Sequence, residues 1–342
     1  MRRCQGFGLV EIMISVLLGM LAIVVMLQQL AVFEHSKRTT TGGADAMNNG
    51  AIALYGLQRD IRQSGYDIAW PSLFTCTASL TSGGTVPVVP VIINPATSVI
   101  PAGDANTDTL LVFYGNSNGQ PQGNPITAQV GTSSTVQLPG SFNVGDIVMA
   151  APATCSASLQ PRPVTAVGTT TITAATGAGS TMYNLGPSPS ILAYAIRGGN
   201  LTMCDYMTTN CGAAQASMSA SAWASAWLPV ANNIVSMRAQ YGVDTSSPMD
   251  AVVDTYNQTT PTTACGWAKV SAFRLVLVAR NREYNKTENG ANVTTAAPTW
   301  DGSSGAAIDL SGDSEWQHYR YRVFQTVVPM RNLAWLGVQS GC

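Results

Sequence analysis

The plainest pattern in the chain is its first long apolar run. From Ile12 to Leu27 nothing is more polar than Ser15 and Gly19, and no charge falls between Glu11 and Glu34. At a rise of 1.5 Å per residue, a helix over Phe7–Phe33 is about 40 Å long. A bilayer core is about 30 Å thick, so the segment at 7–33 is long enough to span it. Beyond it, Met47, Ala51, Leu54, Leu57 and Ile61 recur at spacings of four and three, which predicts an amphipathic continuation of the helix over 34–65. On that reading Gln58, Arg59, Asp60, Arg62 and Gln63 face away from the packed side. The TTTGG stretch at Thr39–Gly43 reads as a weak point or bend, because glycine disfavours helix, and Gly65 suits a C-terminal cap.

The remainder, 66–342, reads as strands. Val235, Met237, Ala239 and Tyr241 alternate with Ser236, Arg238 and Gln240, the period of a half-buried strand. In Val270–Arg280, Phe273, Leu275, Leu277 and Ala279 share one face while Val276 and Val278 occupy the other, so this strand is predicted to be central. Leu110–Tyr114, Asp146–Ala150, Ile191–Ile196 and Tyr321–Val328 are further strands. One long helix followed by such strands is an α+β arrangement, with the helix laid across an antiparallel sheet. The Pro-, Gly- and Thr-rich region at about 75–190 is an elaborated loop region or an inserted β-subdomain. Gly212–Trp227 is ambiguous: Ala and Ser alternate there, yet Trp223 and Trp227 stand at helical spacing.

Composition narrows the function. Only 10% of residues are charged, and 17 basic against 18 acidic side chains leave a formal net charge of −1. That balance argues against nucleic acid as a main partner, which calls for a clustered basic excess. With 46% hydrophobic residues the chain is not disordered. Its two histidines, His35 and His318, leave little for acid–base or metal chemistry, and no cofactor is expected.

Arg2 and Arg3 precede the apolar run, so the positive-inside rule keeps the N-terminus cytoplasmic and exports the rest. An ordinary secretory signal fits poorly, since no small-x-small cleavage site follows the run. Glu11 is equally out of place, because a carboxylate within an apolar helix costs roughly 2.5–3.5 kcal/mol on insertion scales. Cleavage after Gly6 would create an α-amino group on Phe7, four residues before Glu11. In a helical assembly that carboxylate could meet a neighbour's amine, each neutralising the other.

Gly6 followed by FGLVE, behind a basic leader and ahead of an apolar helix, resembles the class III signal of type IV pilins and pseudopilins. The resemblance implies that prepilin peptidase removes residues 1–6, that Phe7 is N-methylated, and that Glu11 governs docking into a filament. Gln28 departs from the pattern, since major pilins often carry a helix-breaking proline there. Four later segments resemble the PilW family of minor pilins: Ala53–Tyr66 (ALYGLQRDIRQSGY), Phe142–Ala150 (FNVGDIVMA), Ile234–Thr245 (IVSMRAQYGVDT) and Tyr319–Asn332 (YRYRVFQTVVPMRN). They stand in the family's order along the chain. The implied fold is pilin-like, and the implied role is priming of type IV pilus assembly from the inner membrane, with a periplasmic C-terminal domain and a final place at the pilus tip. Implied partners are other minor pilins, the major pilin, the assembly platform and a tip-associated adhesin. The alternatives are a minor, J-type pseudopilin of type II secretion, an adhesin or other binding module at the tip, and an anchored periplasmic enzyme or sensor.

Of seven cysteines, Cys4 leaves with the leader and six remain: Cys76, Cys155, Cys204, Cys211, Cys265 and Cys342. An even number in an exported domain reads as up to three disulfides with fifteen possible pairings. Cys204 and Cys211 bracket a short loop and are the best single pair, while a metal site is the rival reading, with no CxxC spacing and almost no histidine to support it. GNSNG at Gly115–Gly119 fits a nucleophile elbow around Ser117 in sequence, but QPQGNP follows where the elbow needs a helix, so a loop turn is expected. Asp244 with Asp250, or Asp301, Asp309, Asp313 and Glu315, carry the oxygen ligands calcium takes. Their spacing is not that of an EF-hand, and they are read as solvated acidic loops. Arg280, Arg282 and Lys286, with Glu283 and Glu288 interspersed, read as a mixed-charge turn rather than a polyanion site.

Overall fold

The computed structural model describes residues 8–285, 292–303, 307–334 and 342. It opens with a single α-helix, α1 (Leu9–Gln63), of 55 residues. The helix runs without interruption through Thr39–Gly43, so the predicted weak point does not break it. Gly42 is buried against the domain, where a Cβ would meet Glu283 at 3.4 Å, an ordinary packing contact.

Two short strands, β1 (Thr77–Ser79) and β2 (Thr85–Pro87), form a hairpin. Then come β3 (Val91–Ile93) and β4 (Leu110–Tyr114). Seven strands follow as an insertion: β5 (Asn124–Val130), β6 (Ser133–Val136), β7 (Ile147–Ala151), β8 (Arg162–Pro163), β9 (Ala166–Val167), β10 (Thr171–Thr173) and β11 (Thr181–Gly186). They make a sheet of order β8-β7-β11-β5-β6-β10-β9 with its own core, centred on Val136, Phe142, Val148, Ile172 and Met182. The chain then returns as β12 (Ser190–Arg197), beside β4, and continues through β13 (Asn200–Asp205), α2 (Ala220–Ala226) and β14 (Leu228–Ala231). This gives a five-stranded sheet of order β14-β13-β12-β4-β3. The ambiguous stretch before β14 thus resolves into the short helix α2, N-capped by Ser219, with the Trp223 and Trp227 rings 6.1 Å apart.

The last sheet is built from β15 (Ile234–Val243), β16 (Thr255–Asn257), β17 (Val270–Arg280) and β18 (Tyr321–Pro329), in the order β16-β15-β17-β18. All its pairings are antiparallel. Two short helices, α3 (Ala264–Ala268) and α4 (Arg331–Ala334), flank β17 and β18 in the chain. β17 is an inner strand with both faces covered. Phe273, Leu275, Leu277 and Ala279 enter the main core, and Val276 and Val278 enter a second cluster with Trp300, Ile308 and Leu310. That explains its nearly unbroken apolar run. On β15 the pairing slips between Ile234 and Ser236, which leaves Val235 half-buried while Met237, Ala239 and Tyr241 stay in the core. The predicted strand at Asp146–Ala150 begins one residue later, because Asp146 caps the preceding turn by accepting from the Asn143 amide.

The outer half of α1 crosses β17 and β18. Its packed face is Gly42, Ala46, Gly50, Ala53, Leu57, Asp60 and Ile61. Leu57 and Ile61 lie where the apolar spacing placed them. Met47 and Ala51 do not: both are exposed, one position off the true face. Small residues hold that face because the sheet comes close, so close that a Cβ on Gly50 would overlap the Phe324 ring. Asp60 is the second correction, since it is only 3% exposed instead of facing away.

Candidate functional site

Two regions of α1 are unlike the rest of the molecule. In the first half, every described side chain from Leu9 to Thr41 is exposed. Within it, Leu9–Glu34 has a mean hydropathy of 2.7 and none of its length is covered by the domain. A face of that length and apolarity is unstable in water on every side, and only lipid or other helices can cover it. Glu11 sits in the first turn. Its backbone amide donates to the Gly8 carbonyl at 2.9 Å, and its own carbonyl accepts from the Ser15 hydroxyl at 2.7 Å. The carboxylate therefore stands where the positive end of the helix dipole lies, with no partner from its own chain among the described residues. Gly6 and Phe7 lie outside the described residues.

The other region is the far end of α1. Asp60 there accepts from the Tyr194 hydroxyl at 2.6 Å, the Tyr114 hydroxyl at 3.1 Å and Arg59 Nε at 3.2 Å. Burial, and then the Asp60 carboxylate, push the Tyr194 hydroxyl upward from its ordinary pKa, so it remains a donor. The helix ends at Ser64, and Gly65, with φ of +83°, turns the chain away while donating to the Phe113 carbonyl. The Asn332 amide covers the last carbonyls, donating to Gln63 at 3.0 Å and Ser64 at 2.9 Å. Next in the chain, Asp67 is held at φ +64° and accepts from the Ser117 amide at 2.8 Å. Burial raises its carboxyl pKa to about 6. None of this was visible in Asp60, Asp67 and Asn332 as separate letters. One usable signal existed: counting by threes and fours from Leu57 places Asp60 on the packed face.

The other candidates have structural tasks. The cysteines are bonded as Cys76–Cys155, Cys204–Cys211 and Cys265–Cys342. Ser117 lies in a loop with its hydroxyl accepting from the Gly119 amide, and no helix follows it. Asp244 accepts from the amides of Ser246, Asp250 and Ala251, so its oxygens are spent on a turn. Asp250 likewise accepts from Val252. Asp301, Asp309, Asp313 and Glu315 each bond a different partner: Gln325, Asn106, Arg280 and Tyr284. Among the described residues, no group of three or more His, Cys, Asp or Glu could hold a metal ion. Arg280 pairs with Asp313 at 2.7 Å and lies over the Tyr319 ring, and Lys286 and Glu288 lie outside the described residues.

The family model of type IV pilus-assembly protein W matches residues 202–332, from β13 to the Asn332 that closes α1. No curated protein matches the chain. Among solved structures, a type IV-like pilin from Thermus thermophilus aligns at 11% identity and a TM-score of 0.32, covering 84% of this chain and 96% of that one. The chain is thus similar over residues 202–332 to the type IV pilus-assembly protein W family, and it opens with an uncovered apolar helix.

Proposed function

We propose that the protein is a minor pilin that primes type IV pilus assembly and resides at the pilus tip. The observation that carries this reading is α1, whose first half is apolar and uncovered while its second half is packed rigidly on the domain. Before assembly, the helix at 7–33 holds the chain in the inner membrane with the domain in the periplasm. Prepilin peptidase cuts after Gly6 and Phe7 is methylated. The helix then leaves the lipid by packing against the helices of other minor pilins and the major pilin. Glu11 sets the register by meeting the amine of a neighbouring subunit, a pairing that offsets the cost of burying either charge alone. A tip-associated adhesin is the outermost partner. The family match favours a pilus role over the secretion pseudopilin.

The test is a clean deletion complemented with the wild-type chain or with Glu11→Val, scored for sheared surface pili and for secreted enzymes. Pili lost on deletion, restored by wild type and not by Glu11→Val, with secretion intact throughout, is the expected result. Secretion lost with pili intact would reverse the assignment in favour of the pseudopilin.

A further inference from the structure

The fold accounts for some of the residues that meet at the far end of α1, but not all. Asp60 binds the sheet, Gly65 turns the chain and Asn332 closes the helix. Arg62 and Arg331 have no such task. Both are exposed, and neither takes part in an ion pair among the described residues. They are far apart in sequence, yet they line one cleft of about 630 Å³. A second cleft of about 490 Å³, lined by Trp70 and Gln122, adjoins it, and Tyr66 and Asn332 belong to both. The two therefore form one groove.

The floor of this groove is preformed. The Tyr66 hydroxyl donates to the Ser117 carbonyl at 3.0 Å, which holds the ring, and the Asn332 amide is held on the helix end. Tyr66 and Trp70 remain 38% exposed each, so two flat rings are available beside the cations. The helix-end carbonyls, which would repel an anion, are covered by Asn332. Exposed Asn116, Asn118 and Ser188 supply further donors and acceptors along the wall.

We propose that this groove binds an acidic saccharide, with a pyranose ring against Tyr66 and Trp70 and its carboxylate at Arg62 and Arg331. An aromatic ring offers a broad apolar face to the C–H side of a sugar. Guanidinium groups match carboxylates in geometry and charge. Side-chain amides and hydroxyls both donate and accept, as a polyhydroxylated ligand requires. The concavity is of the size that holds small ligands. α1 is about 80 Å long, so the groove lies at the opposite end of the helix from the apolar span. The inference does not depend on the pilin reading.

The experiment is calorimetric titration of the full-length protein in detergent micelles with a galacturonic acid trimer, a neutral galactose trimer and a hexaglutamate peptide. The expected result is saturable binding of the galacturonate trimer alone. In the Arg62→Ala/Arg331→Ala double variant that affinity falls at least about tenfold. Arg322→Ala, an exposed cation on β18 outside the groove, leaves it unchanged. Unfolding midpoints of all variants confirm that the fold persists. No binding of the galacturonate trimer, equal binding of the neutral trimer, peptide binding as tight as the trimer's, or unchanged affinity in the double variant would each overturn the proposal.

Discussion

The Tyr194 hydroxyl donates to the Asp60 carboxylate at 2.6 Å and so ties the last turns of α1 to β12. Asp60 comes from a helix and Tyr194 from a strand 134 residues later, which makes the contact a clamp between the two halves of the fold. Removing only the donor leaves a buried carboxylate oxygen unpaired, a loss of about 2 kcal/mol. Tyr194→Phe should therefore lower stability by that order in chemical unfolding of the detergent-solubilised chain. Tyr114→Phe should cost less, because its bond to Asp60 is longer, at 3.1 Å, and less buried. Equal and negligible effects would mean that α1 is held by apolar packing alone.

Gly50 and Gly56 give opposite expectations on one helix. A Cβ on Gly50 would overlap the Phe324 ring, whereas a Cβ on Gly56 would meet nothing within 4 Å. Gly56→Ala should stabilise by up to about 1 kcal/mol through helix propensity. Gly50→Ala should destabilise by about 2 kcal/mol despite the same gain, and Phe324→Ala in the same chain should recover part of that loss by making room. Thermal unfolding of Gly56→Ala, Gly50→Ala and the Gly50→Ala/Phe324→Ala double variant decides this. If Gly50→Ala were as benign as Gly56→Ala, the close approach of α1 to β18 would be wrong.

Asp67 makes stability depend on pH. Its carboxyl pKa is raised from 3.8 to about 6 by burial, so the folded chain holds this proton more tightly than the unfolded chain does. Its contribution to stability is therefore greatest at low pH, falls as pH rises from about 4 to about 6, and stays low above that. Asp67→Asn keeps an acceptor for the Ser117 amide and tolerates the positive φ, but carries no charge to bury. At pH 7 it should be more stable than the wild-type chain by on the order of 2 kcal/mol, with the advantage vanishing below about pH 4. Unfolding curves at pH 4 and pH 7 measure this. An advantage independent of pH would place its cause elsewhere.

Much of the architecture was legible in local pattern. The apolar run, the doubly apolar β17 and the alternation of β15 each follow from a short window, because burial on one face or two leaves a period in the residues. The packed face of α1 was displaced because small residues carry it. Gly42, Ala46, Gly50 and Ala53 give almost no apolar signal, so the apolar spacing runs instead through Met47 and Ala51. Asp60 was misplaced because its charge outweighed its position in the helical count. The groove at the helix end was not legible at all. It joins Arg62 to Arg331 through the packing of α4 against α1, which no window along the chain contains.

The central claim is that this chain enters a pilus through its first helix, and mass spectrometry of sheared pili tests it most directly. Pili from the complemented deletion strain should contain this protein at low abundance, with an N-terminal peptide that starts at Phe7 and carries one methyl group. With Glu11→Val the same processed protein should remain in the membrane and be missing from the filaments. Absence of the wild-type chain from purified pili, or its presence there with Met1–Gly6 still attached, would contradict the account.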